Sequence, residues 1–176
     1  MSEKLFTIVN YLNDYLEIEK IKDYCPNGLQ VEGRSEVKKV LGGVTASQAL
    51  IDEAIQQNVD AILVHHGYFW KGERQEVTGI KRNRLKALLE NDISLIAYHL
   101  PLDVHSVVGN NVQLAQKLDL VITGPLDLKA AKSVGLVGRL PEQKTAAEFQ
   151  ASISTILGRD CVHVGASDQK IQTVAW

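Results

Sequence analysis

Residues 59–72 read Val59-Asp60-Ala61-Ile62-Leu63-Val64-His65-His66-Gly67-Tyr68-Phe69-Trp70-Lys71-Gly72, an apolar run of strand length that stops at two adjacent histidines and a glycine. A continuous run of this kind, rich in β-branched residues, is the pattern of a strand buried on both faces of a parallel sheet. Its carboxyl end delivers polar groups to a loop. The pattern recurs downstream, where Ile93-Ser94-Leu95-Ile96-Ala97-Tyr98-His99 is again apolar, ends in histidine, and is followed by Leu100-Pro101-Leu102-Asp103. Three histidines and a carboxylate therefore fall at the ends of two apolar strands, which is where ligands gather in open α/β sheets.

The flanking stretches supply helices. Leu5, Ile8, Val9, Leu12 and Leu16 have helical spacing, which predicts an amphipathic helix from residue 3 to about 17. Pro26 and Asn27-Gly28 forbid a helix interior and predict a loop over residues 23–30. Lys38 to Val44 reads as a strand, Thr45-Ala46-Ser47 offers N-cap oxygens, and Ala46, Leu50, Ile51, Ala54 and Ile55 stripe a helix closing near Asn58. Leu85, Leu88 and Leu89 stripe another, ended by Asn91. This order of strands and helices suits right-handed crossovers and a parallel sheet. Asn110 to Leu118 reads as a helix with Leu114, Ala115 and Leu118 inward, and Gly124-Pro125 as the close of the first unit. The pattern restarts at Lys132: Ser133 to Leu140 reads as a strand, Thr145-Ala146-Ala147-Glu148 as a capping box opening a helix to Leu157, and Asp160 to Val164 and Ile171 to Trp176 as further strands. The expected fold is α/β, with mixed, largely parallel sheets flanked by helices in two lobes. Residues 1–125 form a metal-site domain, and 126–176 begin a second α/β lobe that Trp176 leaves incomplete.

Composition narrows the function classes. The 176 residues can hold one sizeable domain, or one and part of a second. Nineteen basic residues face 21 acidic ones without a long block of either sign, which argues against a polyanion partner. Lys81-Arg82-Asn83-Arg84 reads as a solvated helix start. Cys25 and Cys161 show no paired spacing for zinc or a disulfide and read as small, buried or half-buried side chains. Neither a signal peptide nor an apolar run of about 18 residues is found, so a cytoplasmic protein with no membrane association is expected.

Neutral imidazoles and carboxylates at converging loop ends are what a divalent transition metal requires, and His65, His66, His99 and Asp103 are such a set. Adjacent strand residues point to opposite faces, so His65 and His66 reach one metal only if the strand ends or bends there. Alternatively, each serves a different ion of a close pair. Pro101 keeps His99 and Asp103 off a common helix face and makes residues 100–102 an extended arm. A lone histidine at a strand end is more often a hydrogen-bonded structural residue, and it is the joint occurrence that argues for a metal. His105 and His163 show no convergence and read as structural or solvent-exposed, with His105 a candidate to support the ligands. Dinucleotide-binding, Walker and nucleophile-elbow motifs are absent from the sequence. Gly42-Gly43-Val44-Thr45-Ala46-Ser47 could bind an anion through backbone amides, although close strand–helix packing explains its glycines equally well.

Four segments, in this order, resemble the signature segments of the proteins known as GTP cyclohydrolase 1 type 2 homologues: Asp23-Tyr24-Cys25-Pro26-Asn27-Gly28-Leu29-Gln30-Val31-Glu32-Gly33, Gly43-Val44-Thr45-Ala46-Ser47, His65-His66-Gly67-Tyr68-Phe69-Trp70-Lys71-Gly72 and His99-Leu100-Pro101-Leu102-Asp103. The resemblance covers essentially the whole chain and is most specific between residues 23 and 111. It implies a two-lobed α/β fold, a toroidal homohexamer, and two divalent ions per complete subunit, with Zn, Mn, Fe or Ni the candidates. Carried over by residue, it implies His65, His66 and Asp103 as metal ligands and His99 as a catalytic proton-transfer group or further ligand. The family's His-x-x-x-Glu pair, whose glutamate bridges the metals, is not in this sequence. The expectation is therefore that these residues belong to a longer polypeptide that completes the lobe and the site. The implied function is a di-metal hydrolase acting on a nucleotide or related small molecule, cyclohydrolase by label only. The alternative is a non-enzymatic metal-binding ring serving as scaffold or regulator. A ring threaded by nucleic acid would need a basic lining, against which the near-neutral charge argues.

Overall fold

The computed structural model describes residues 2–130 and 133–176, so Lys132, where the sequence pattern restarts, lies outside the described residues. The chain forms two compact units, Met1–Leu102 and Asp103–Trp176. In chain order the first holds β1 (Glu3–Lys4), α1 (Leu5–Tyr15), a single 3-10 turn (Ile18–Lys20), β2 (Gly28–Val31), β3 (Glu36–Val37), β4 (Val40–Thr45), α2 (Gln48–Gln56), β5 (Ala61–His66), α3 (Gly79–Glu90) and β6 (Ser94–Ala97). The helix α4 (Leu100–Val104) begins in the first unit, and α5 (Asn110–Lys117), β7 (Val121–Pro125), β8 (Leu136–Thr145), α6 (Ala146–Leu157) and β9 (Lys170–Ala175) follow in the second. The fold is mixed α/β.

The main sheet has the order β2-β6-β5-β4, in which β4, β5 and β6 are parallel and β2 joins the β6 edge antiparallel. Both faces of its central strands are covered, which is why these strands are apolar without alternation. On one face Ile62, Val64, Leu95 and Ala97 pack with Ile51 and Ala54 of α2 and Leu85 and Leu88 of α3. On the other, Ala61, Ile96 and Tyr98 pack with Leu5, Val9 and Leu16 from α1 and its end. Each large side chain so buried contributes about 1.5–3 kcal/mol relative to exposure. Ser47 caps α2 by accepting from the Leu50 amide at 3.2 Å. A side chain at Gly43 would overlap Leu50, so close packing of β4 on α2 accounts for that glycine.

Three local expectations are corrected in these elements. Gly28–Val31 is a strand, opened by Gly28 at φ 100°, where the sequence suggested only a loop. Leu89 is exposed, and α3 buries Leu85 and Leu88 alone of the three leucines. Residues 100–102 belong to α4 and form no extended arm. Pro101 is tolerated in that first turn, where backbone amides have no helical partner. Gly124 and Pro125 are the last two residues of β7.

The second unit carries an antiparallel sheet in the order β7-β8-β9 around Ala115, Leu120, Leu140 and Phe149. The capping box at α6 is present: Glu148 N donates to Thr145 Oγ1 at 3.2 Å, and Thr145 N donates to Glu148 Oε2 at 2.7 Å. Residues 160–164 form no strand, contrary to the alternation of Cys161, Val162, His163 and Val164. Side chains of α6 take the place of a ladder: Cys161 N donates to Ser154 Oγ at 3.2 Å, and Gln150 Nε2 donates to Cys161 O at 3.0 Å.

Candidate metal centre

The two adjacent histidines converge because β5 ends on them. The β5–β6 register closes at Val64–Ala97 and the β4–β5 register at Thr45–His66, after which Gly67 turns the chain. A Cβ at Gly67 would collide with the Gln30 side chain and with the Ala97 methyl, so only glycine fits this turn. At this end of the strand the His65 and His66 rings lie 4.4 Å apart, and His99, just past β6, lies 5.0 Å from His65 and 5.6 Å from His66. One ligand nitrogen from each of the three falls within 4.8 Å of the other two.

Hydrogen bonds behind two of the rings decide which nitrogen faces the cluster. His65 Nδ1 is 3.0 Å from the Tyr98 carbonyl oxygen. A carbonyl only accepts, so Nδ1 carries the proton and Nε2 keeps its lone pair. His99 Nδ1 is 2.9 Å from Asp23 Oδ1. The Asp23 side chain is only 3% exposed, and burial alone would raise its pKa. Hydrogen bonds from Asn27, His99, Tyr24 N and Leu100 N outweigh that burial and hold it below the ordinary carboxylate value. Ionised Asp23 must accept, so His99 also presents Nε2, in the carboxylate–histidine arrangement that orients metal-binding imidazoles. Asn27 Oδ1 accepts from His99 N at 2.7 Å, and Asp23 Oδ2 from Leu100 N at 2.9 Å, which ties the residue 23–27 loop to the end of β6. His66 Nδ1 is 3.2 Å from the Thr45 hydroxyl, a group able to donate or accept. Trp70 stands edge-on to His99 with centroids 4.9 Å apart, its indole N–H donating to Gly67 O at 3.2 Å.

Asp23, Cys25 and His99 also bring ligand atoms within 4.8 Å of one another. Burial and the negative charge of Asp23 push the Cys25 thiol up to about 11. A metal at Cys25 would have to displace that proton, a cost that neutral imidazoles do not carry, so the imidazole group fits a divalent transition metal better.

The structure thus brings His65, His66 and His99 together. Asp103 is in α4, at the first position of the second unit, and its Oδ1 accepts from Asn110 Nδ2 at 2.8 Å. His105 closes a turn by accepting at Nδ1 from Val107 N at 3.2 Å and Val108 N at 3.1 Å, and His163 lines a hollow of the second unit with Cys161. Asp23, Asn27, Gln30 and Trp70 escaped the residue pattern as supports of the site. The only signal was a run of polar side chains in a short loop, and the separation of 76 positions between Asp23 and His99 hides their pairing.

The sequence pattern of Duf34/NIF3 (NGG1p interacting factor 3) matches residues 4–176. The chain belongs to the Duf34/NIF3 family. It is 52% identical over 176 residues to the GTP cyclohydrolase 1 type 2 homolog of Pseudomonas aeruginosa, a match that takes in all of this chain and 69% of that protein. The homolog of the same name from Haemophilus influenzae is 55% identical over 148 residues, 84% of this chain and 59% of the relative. Among solved structures, protein ybgI, of unknown function, superposes with TM-score 0.90 at 45% identity, covering 99% of this chain and 69% of that one. TTHA1606 from Thermus thermophilus gives TM-score 0.81 at 37% identity, over 97% of this chain and 68% of the other. The chain spans about two thirds of the length of these relatives. No helix among the described residues is long and apolar enough to cross a membrane.

Proposed function

We propose that this Duf34/NIF3 protein holds divalent metal at the histidine cluster and acts as a cytoplasmic, metal-dependent hydrolase on a nucleotide or related small molecule, assembled as a homohexamer. The observation that carries the reading is the convergence of three imidazoles, two of which have their Nε2 lone pair set by Tyr98 O and Asp23. His65 and His66 are the proposed ligands, and Asp103 joins them on the sequence pattern alone. Two ions per complete subunit, when bound, supply Lewis acidity that acidifies water and polarises a phosphoryl or ring centre. Around them the protein orients: Asp23 fixes the His99 ring, and Trp70 packs edge-on against it. His99, backed by a buried carboxylate, is suited to take and return a proton at Nε2 or to complete the ligand set. The relatives' name, GTP cyclohydrolase 1 type 2 homolog, supports a nucleotide as the first substrate to try.

Elemental analysis after dialysis, joined to a turnover screen against nucleotides and phosphoesters, tests this. Bound transition metal, lost in His65→Ala and Asp103→Ala, and hydrolysis of at least one substrate are expected. His99→Gln separates its two roles, since a proton-transfer group leaves metal content intact while turnover falls. A protein that retains no metal would end the proposal, and metal without turnover on any substrate would leave a scaffold or regulator. Light scattering tests the hexamer, and a monomeric mass removes it.

A further inference from the structure

Around Trp70, whose ring lies 4.9 Å from that of His99, the first unit has a recess. It encloses about 380 Å³ and is lined by Phe69, Trp70, Lys71, Arg74 and Lys81, with Glu73 at its wall. Three of these six side chains are cationic and two aromatic. The recess is built, not incidental. Phe69 is held at φ 66° and Gly72 at φ 84°, both in the left-handed region, and non-glycine residues in that region cluster at binding sites. The turn between them is closed by Glu73 N donating to Trp70 O at 3.0 Å, and anchored by Lys71 N donating to Tyr24 O at 2.7 Å.

The cations divide into two kinds. Lys81 is a strut: its side chain is 14% exposed, it lies 3.3 Å from Glu73, donates to Arg74 O at 3.0 Å and sits 5.3 Å above the Phe69 ring. Glu73 is taken up by Lys81 and by Trp70 N, which donates to its Oε2 at 3.1 Å. Its charge is therefore matched within the wall, and Lys71 and Arg74, both exposed at the rim, leave the recess positive. An Arg fork and a Lys beside aromatic rings is a chemistry that recognises a phosphate on a small molecule. Trp70 is shared by the two sites, lining the recess while standing 4.9 Å from His99.

We propose that this recess is the phosphate-binding subsite of the same site, with Lys71 and Arg74 holding the phosphate of a nucleotide whose reacting atoms reach the histidines past Trp70. The inference rests on the metal-hydrolase reading for its substrate, but it is tested by binding, without turnover. Trp176→Phe leaves Trp70 as the only tryptophan, and titration with a nucleoside monophosphate is expected to change its fluorescence. Lys71→Gln with Arg74→Gln, both at exposed positions, is expected to weaken that binding by about ten- to hundredfold. Metal content should be unchanged in this double variant. Lys86→Gln, which removes an exposed cation elsewhere on α3, should leave binding unaltered. The parent nucleoside should bind at least about tenfold more weakly than its monophosphate, and added salt should weaken the monophosphate selectively. Undiminished affinity in the double variant, or equal affinity for nucleoside and nucleotide, overturns the subsite. Inorganic phosphate binding as tightly as the nucleotide overturns the nucleotide assignment. Loss of metal in His65→Ala with nucleotide binding intact would uphold the subsite, whereas loss of binding in the double variant with no metal in any form of the protein would uphold it while removing the hydrolase reading.

Discussion

Asp23 shows how one carboxylate sets the chemistry of a histidine. It accepts from His99 Nδ1, Leu100 N, Tyr24 N and Asn27 Nδ2, so it fixes both the ring tautomer and the position of the loop. Asp23→Asn keeps the shape but puts an amide against an imidazole N–H. The expected outcome is a loss of about 10–100-fold in metal affinity, measured by competition with a chromogenic chelator. Unchanged affinity would show that His99 takes no part in binding. Gly67 sets a steric limit of the same kind. Gly67→Ala drives a methyl into Gln30 and Ala97, and is expected to cost about 1–3 kcal/mol, read from a denaturant melt.

Among the elements, β5 is anchored at both ends by polar groups, with the histidines at one end and Asp60 at the other. Asp60 Oδ2 accepts from Lys38 N at 2.7 Å and Lys39 N at 2.9 Å, and Oδ1 from Arg34 Nη1 at 2.9 Å. These bonds join the β3–β4 link to the start of β5. Burial raises the Asp60 pKa, but the two amides and Arg34 outweigh it and bring it below the ordinary carboxylate value. A folded-state pKa that is depressed gives stability that is fully present above the unfolded value of about 3.9, and that is lost as pH falls through the folded value. Denaturant melts between neutral pH and about pH 3 should therefore show an acid loss that Asp60→Asn flattens. Asp60→Ala, which leaves the Lys38 and Lys39 amides without their acceptor and removes the Arg34 Nη1 contact, is expected to cost about 1–3 kcal/mol at neutral pH. An acid limb identical in Asp60→Asn and the parent would remove Asp60 from the account.

At the scale of the molecule, the two units have separate cores and one tryptophan each. Trp70 belongs to the first, while Trp176 packs against the Ala115, Leu120, Leu140 and Phe149 cluster of the second and donates from Nε1 to Asn111 O at 3.1 Å. Phe149→Ala empties the middle of that second core. In a Trp70→Phe background the Trp176 signal should report a loss of about 3–5 kcal/mol. In a Trp176→Phe background the Trp70 signal should move less, because Phe149 is no part of the core beneath the main sheet. Equal shifts by both reporters would mean that the units unfold as one.

The central strands, the helices that cover them and the histidines at the strand ends were legible in the sequence, because apolar period and cap chemistry are local and act through near neighbours. Residues 60–65 read as a buried strand, found as Ala61–His66, and Thr145 to Glu148 as a helix start, found at α6. What was not legible was set by partners far along the chain. Whether two successive histidines could meet depended on where the ladders with β4 and β6 stop. Whether residues 160–164 became a strand depended on a neighbour to pair with, and alternation alone provides none. Pro101 was misread because the rule against proline in helices fails in a first turn, and the position of that turn is fixed by Asp23 accepting from Leu100 N. Residue types and their local spacing therefore determined the elements and the donor atoms for a metal. Only the tertiary structure decided which nitrogen His65 and His99 present, since that choice belongs to hydrogen-bond partners contributed by other segments of the chain.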